Sequence, residues 1–209
     1  MKNLFFSLVF LIVTAQSNAE LATGYYITDK GDTVKLTLDI PVKLSGEINF
    51  YKMQSGIEYQ DKFGIQSLVN PFFAKEVGFT LDNKAYKMVA LIQDSLFRND
   101  EKYANTGFKF VQLVVEGKVK LFRFIDTKTT VYGSPDGHHG GGTFEGEGRP
   151  VYFLEGTDRK PRQVIKDNFP KVPLDFFKDC TSIKMRIAAD YYKYKDIERM
   201  VRDYNNTCF

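Results

Sequence analysis

From Phe108 to Ile125 the chain reads FKFVQLVVEGKVKLFRFI, two apolar runs of β-branched and aromatic residues that meet at Glu116-Gly117. So short a connection between such runs predicts an antiparallel hairpin. With Glu116 and Gly117 as a two-residue turn, Val115 faces Lys118. Counting outward then puts Phe108, Phe110, Val114, Val119, Leu121 and Ile125 on one face, with Gln112 and Arg123 among them. Val111, Leu113, Phe122 and Phe124 fall on the other face. A three-residue turn with Gly117 in the left-handed position pairs the strands one step differently, and the pattern leaves that choice open. Because both faces are apolar, the hairpin reads as a central pair that needs cover on each side. The expectation is a curled sheet over the richer face and C-terminal helices over the other.

Period-two alternation is cleanest at Val34, Leu36, Leu38 and Ile40, a strand that Pro41 ends or places at an edge. A short strand at Tyr25 to Thr28 precedes it across the Asp29 to Asp32 turn, and further strands are predicted at Glu47 to Met53 and near Ile57 to Tyr59. Phe63 to Lys75 follows neither period and reads as a connection packed onto the sheet. Val77 to Leu81 and Ala85 to Gln93 are strands joined by a tight turn at Asp82-Asn83, followed by a polar loop from Arg98 to Thr106. Beyond Ile125 the strand is expected to continue through Thr129, Thr130, Val131 and Tyr132, and Val151 to Leu154 adds one more. Helical spacing appears only near the C-terminus. A short broken helix follows Asp167-Asn168, a second starts at Thr181-Ser182, and a third carries Ile197, Met200, Val201 and Tyr204. The fold class is therefore β-rich α+β: a bent antiparallel sheet or open β-barrel of about seven to nine strands, capped by two to three C-terminal helices.

The first residues change where this fold is placed. Lys2 precedes an apolar run from Leu4 to Val13, and Ser17-Asn18-Ala19 supplies the small residues of a cleavage site. Residues 1–19 thus read as a secretory signal peptide, too short in its apolar core to span a membrane. Residues 20–165 form a β-rich domain and 166–209 a helical appendage. No later segment reads as a membrane span. The product is expected to be exported, to the periplasm or the outer surface. In that setting the two cysteines, Cys180 and Cys208, read as a disulfide. Their bridge closes a helical hairpin and on the loop-entropy model adds about 3 to 4 kcal/mol. With 29 basic and 26 acidic side chains interspersed, the surface is solvated rather than a nucleic-acid footprint.

Candidate chemistry centres on residues 133–148, GSPDGHHGGGTFEGEG, a segment too glycine-rich to bury apolar surface and therefore a flexible loop. It holds the only histidines, His138 and His139, beside Asp136, Glu145 and Glu147. Imidazole and carboxylate donors suit a divalent metal, but adjacent histidines on a flexible backbone do not form a spaced ligand set, and a solvated loop is the competing reading. No phosphate loop, nucleophile elbow or cysteine with a neighbouring base is present, so no cofactor is called for. Tyr191, Tyr192, Tyr194 and Tyr204 read as packing the helical tail onto the sheet, the alternative being a recognition patch.

Several short motifs together resemble an uncharacterised family of exported envelope proteins of Bacteroidota-type bacteria. They are Gly31-Asp32-Thr33, Gly78-Phe79 with Tyr86, Gly117-Lys118-Val119-Lys120-Leu121-Phe122, Tyr152-Phe153-Leu154, Phe176-Phe177-Lys178-Asp179-Cys180, and Tyr204-Asn205 with Cys208. The resemblance implies a secreted, envelope-associated protein and carries no catalytic residues with it. Asp32-Thr33-Val34 and Asp94-Ser95-Leu96 look like the Asp-Ser/Thr-apolar acceptor for O-glycosylation in such bacteria, which makes Thr33 and Ser95 candidate glycan carriers. The functional expectation is a non-catalytic binding or structural module whose partner is another envelope protein or a surface glycan. The alternative is a secreted hydrolase or metal-dependent enzyme with a site assembled from residues distant in sequence.

Overall fold

The computed structural model describes residues 19–61, 63–92, 107–126, 129–131, 143–145, 148–157 and 160–208, with only the backbone described for the two three-residue segments. The body of the predicted signal peptide, the 98–106 loop, Ser95, His138 and His139 lie outside these residues. Among the described residues there are twelve strands: β1 (Ala19–Thr28), β2 (Thr33–Pro41), β3 (Ile57–Gln60), β4 (Gln66–Val69), β5 (Ala74–Leu81), β6 (Lys84–Ile92), β7 (Phe108–Val115), β8 (Val119–Asp126), β9 (Thr129–Val131), β10 (Thr143–Glu145), β11 (Arg149–Gly156) and β12 (Arg162–Val164). Ten of them form one open antiparallel sheet in the order β12-β11-β8-β7-β6-β5-β1-β2-β3-β4, and β9 pairs with β10 in a separate two-stranded sheet. The helices are α1 (Phe50–Met53), α2 (Lys171–Phe176), α3 (Thr181–Ala188) and α4 (Ile197–Thr207). The β-rich α+β class is as expected, and no described helix is long and apolar enough to cross a membrane.

Turn chemistry and alternation explain the regular parts. Asp82 and Asn83 both adopt positive φ, 49° and 58°, as the two-residue β5–β6 turn requires. Leu38 and Ile40 of β2 are fully buried in a core that also holds Met53, Ile57, Val69, Val77, Met88 and Phe110. Residues from both ends of the β4-to-β7 half of the sheet thus share one core, which requires that half to curl.

Four local expectations change. Glu47 to Met53 is not a strand: Ile48 makes an isolated bridge to Val42, and Asn49 Oδ1 accepts the Lys52 amide at 3.3 Å, starting α1 instead. The stretch read as a connection after Phe63 contains β4, hidden because the outward Leu68 is apolar and exposed, so the polar half of the alternation is missing. The short first strand is ten residues long, since pairing to both β2 and β5 supports residues of poor strand propensity such as Gly24. The strand expected to run on past Ile125 instead ends at Asp126, and β9 pairs apart from the main sheet, with β10 lying inside the segment read as loop.

The hairpin register also differs from both alternatives. Val115 pairs Leu121, Leu113 pairs Phe122 and Gln112 pairs Arg123, with a bulge between Leu113 and Val115. Val119 is withheld from β7 because Asn205 of α4 serves it: Asn205 Oδ1 accepts the Val119 amide at 3.1 Å and Nδ2 donates to the Val119 carbonyl at 2.8 Å. Asn205 also lies so close over Gly117 that any Cβ there would overlap its side chain. Away from the bulge the displacement is two residues, so the predicted faces of Gln112, Leu113, Phe122 and Arg123 survive.

The helices dock on the face opposite to the one expected. α3 and α4 bury Ile183, Ile187, Met200, Val201 and Tyr204 against Val115, Val119, Leu121 and Leu154, on the same side of the sheet as the curled core. Val111, Phe122, Phe124 and Phe153 of the other side form a third buried cluster. The bulge and the Asn205 contact together direct the tail to the Leu121 side. Cys180 and Cys208 sit at disulfide distance, Cα to Cα 5.9 Å, joining the start of α3 to the end of α4. Tyr192 and Tyr204 are buried in this layer, while Tyr191 stays exposed between Arg186 and Arg199.

Asp179 ties the hairpin tip to the tail, accepting from the Tyr204 hydroxyl at 2.9 Å and from Lys118 at 3.2 Å. Burial alone would raise its carboxyl, but the Tyr204 and Lys118 hydrogen bonds outweigh burial and hold it below its ordinary value. A carboxyl depressed in the folded state contributes stability above its unfolded value, near pH 4, that disappears as pH falls through the folded value. Asp179→Asn should therefore weaken the protein at neutral pH and narrow its difference from wild type in acid, as read from urea midpoints at several pH values. An offset that does not change with pH would remove the carboxylate from this role.

Candidate functional site

Beyond Gln112 and Arg123 the strands β7 and β8 part company. β7 keeps pairing with β6 back to Phe108, and β8 keeps pairing with β11 out to Asp126, yet the two make no ladder with each other there. The gap is filled by Gln54, the residue that ends α1. Its carbonyl accepts the Phe110 amide at 2.9 Å, its Oε1 accepts the Ile125 amide at 2.6 Å, and its Nε2 donates to the Ile125 carbonyl at 3.1 Å. A carboxamide thus replaces a strand partner, and α1 is wedged into the split sheet.

The wedge builds a cavity of about 700 Å3 on the concave side, between the β2–α1 loop, the β5–β6 turn and the parted end of β8. Arg123 and Ile125 of β8, Phe50 and Tyr51 of α1, Tyr86 of β6 and Asn49 face it, together with Lys43, Glu47, Asp82 and Lys84. Arg123 is the most constrained of these groups. Its Nε donates to Gln112 Oε1 at 2.9 Å, its Nη2 donates to the same oxygen, and its guanidinium carbon lies 5.2 Å from the centre of the Phe50 ring. Gln112 itself is 8% exposed. A neutral amide therefore orients the arginine without cancelling its charge, and Arg123 makes no ion pair among the described residues. Three of its five N–H donors make no hydrogen bond to the described residues.

The acidic residues stand elsewhere. The Glu47 side chain is 72% exposed and holds Lys43 at 3.4 Å, and Asp82 is exposed at the β5–β6 turn. Among the described lining residues the carboxylates of Glu47 and Asp82 are thus exposed, while the Arg123 guanidinium is half-buried and held by the Gln112 amide behind it. Tyr86 is stacked on Phe79 at 5.2 Å and touches Phe50 at 5.9 Å, which fixes the aromatic wall.

Compared with protein-family models, with curated proteins and with solved structures, the chain matches none.

Of the sequence-predicted site residues, Thr33 is exposed at the start of β2 and borders a second depression with Tyr25, Gly78 and Lys87. There the Tyr25 ring covers Gly78, whose missing side chain makes room for it. Burial, then the 2.8 Å hydrogen bond to Glu76, pushes the Tyr25 phenol up to about 12. Among the described residues no group of three His, Cys, Asp or Glu gathers as metal ligands would. Arg123 and Gln112 were visible in the sequence only as two polar residues on an otherwise apolar hairpin face. The register that sets them directly opposite each other was not.

Proposed function

We propose that the protein is an exported, non-catalytic binding module of the cell envelope that takes its ligand in the cavity beside α1. The observation that carries this reading is the placement of charge among the described residues: a guanidinium held by the Gln112 amide, with the carboxylates of Glu47 and Asp82 at exposed positions. Guanidinium groups do not exchange protons near neutral pH, and paired-carboxylate catalysis needs a fixed separation that rim side chains in solvent do not hold. The aromatic wall, the polar lining and the open mouth suit a surface glycan better than a compact apolar molecule. Export is supported by the N-terminal pattern and by the cysteine pair at disulfide distance.

The test is retention of envelope polysaccharide by the mature chain and by Lys84→Trp, which closes the cavity at an exposed rim position. Retention by wild type and its loss in the variant is the expected result; equal retention by both places binding elsewhere and defeats the reading. Intact mass of the chain purified from its native envelope checks the export reading. It should begin at Glu20 with both sulfurs oxidised, and added hexose mass that disappears in Thr33→Ala would place glycan on that exposed hydroxyl.

A further inference from the structure

We infer that the cavity is selective for an acidic glycan and that Arg123 is the residue that reads its carboxylate; this rests on the cavity being a binding site. Arg123 is presented as a receptor group rather than a structural cation. Other well-placed cations of the molecule are matched to acids: Lys87 with Glu116 at 3.0 Å, Lys118 with Asp179 at 3.2 Å, Arg162 with Asp175 at 3.0 Å. Arg123 is instead matched to Gln112, and that choice has a chemical consequence. An acid at position 112 would orient the guanidinium equally well but occupy its charge, whereas the amide fixes two donors and leaves the positive charge to be neutralised from the cavity.

Phe50 completes the arrangement by placing its ring under the guanidinium, 5.2 Å from centroid to guanidinium carbon, a cation–π contact made before any ligand arrives. A planar fork with free N–H groups, held in one orientation, matches a carboxylate bidentately. The surroundings identify what bears the carboxylate. Asn49, Lys84 and Asp82 offer donors and acceptors suited to several hydroxyls, and Phe50, Tyr51 and Tyr86 offer rings for the C–H faces of a pyranose. A uronic-acid unit satisfies both sets at once; a peptide C-terminus satisfies the fork but leaves the hydroxyl-binding groups unused. Lys84, which makes no ion pair among the described residues, adds a second positive charge at the mouth.

The experiment is calorimetric titration of the mature protein with a short oligogalacturonate, with the same oligomer methyl-esterified, and with a short peptide bearing a free C-terminal carboxylate. Wild type should bind the uronate saturably, about tenfold or more tighter than the ester, with affinity falling as salt rises. Arg123→Gln should abolish that preference, lowering uronate affinity about tenfold to the level of the ester, with a cooperative urea transition as the check that the variant is folded. Arg123→Lys, which keeps charge without the fork, should keep the salt dependence and lose most of the preference. Equal affinity for uronate and ester, unchanged by Arg123→Gln, would overturn the inference while the Lys84→Trp retention assay still stands as the test of the binding reading. Tighter binding of the peptide than of the uronate, or no binding of any probe, would overturn it as well. Should Arg123→Gln fail to fold, the Arg123→Lys and ester comparisons alone decide the outcome.

Discussion

Replacing Gln54 by alanine is expected to cost the fold about 3 kcal/mol, the largest effect of any single polar substitution considered for this protein. Gln54 is 4% exposed, and its side chain holds both backbone groups of Ile125. Truncation leaves an amide and a carbonyl without partners where β7 has already moved away, and each such group costs about 1 to 3 kcal/mol when water cannot reach it. Gln54→Glu separates geometry from hydrogen-bond polarity. Ionised, the new carboxylate still accepts from the Ile125 amide but meets the Ile125 carbonyl with a second acceptor in a buried place, so at neutral pH it should be at least as damaging as alanine. Protonated, it donates to that carbonyl and restores both bonds. Burial raises the folded-state value of such an acid above its unfolded value near 4.3. The rescue is then fully present below pH 4 and is lost as pH rises through the raised value. Urea unfolding of both variants between acid and neutral pH reads this directly. An alanine variant within about 0.5 kcal/mol of wild type would mean that the split closes and β7 takes back its ladder.

Function is coupled to the same residue. Gln54 ends α1, α1 carries Phe50, and Phe50 lies under Arg123, so loosening the wedge should also weaken the contact between ring and guanidinium. The cavity exists because the sheet is split, and the split persists because a side chain has replaced a strand.

What the amino-acid pattern discloses and what it hides divide along that line. Elements with a clear local pattern were legible, whereas β4, although it pairs with its neighbour β3, was not, because its outward Leu68 breaks the alternation. Asp82-Asn83 announced its turn, Leu38 and Ile40 announced their buried side, and Ile197, Met200, Val201 and Tyr204 announced the buried stripe of α4. Features set by residues far apart in sequence were not. Ile48 and Phe50 have the spacing of a strand, and only the Asn49 cap distinguishes them from one. Gln54 looks like any surface glutamine until its partner, 71 positions away, is known. The hairpin register was mispaired because Val119 bonds to a residue 86 positions later, which no count from the turn reveals. The site left one trace, the polar Gln112 and Arg123 on an apolar face, and a polar pair on such a face is where a sheet is either split or in use.

Asn205 is the second carboxamide that stands in for a strand, and its removal should cost about 2 kcal/mol, less than at Gln54 because Asn205 is half-buried and water can replace part of what it supplies. It serves Val119 at one end of β8 as Gln54 serves Ile125 at the other, each accepting from an amide and donating to the carbonyl of the same residue. Six residues of extended strand put these anchors about 20 Å apart. Groups so separated, with no shared partner, should act independently, so Asn205→Ala and Gln54→Ala should add to within about 0.5 kcal/mol in the double variant. Hydrogen exchange gives the local version of the same test. In Asn205→Ala the Val119 amide should lose protection while the Ile125 amide keeps it, and in Gln54→Ala the order should reverse. Coupling well beyond that margin, or both amides losing protection in either variant, would show that β8 yields as one unit. The floor of the cavity would then depend on the helical tail as much as on the wedge, because Arg123 lies between the two anchors on the strand they hold.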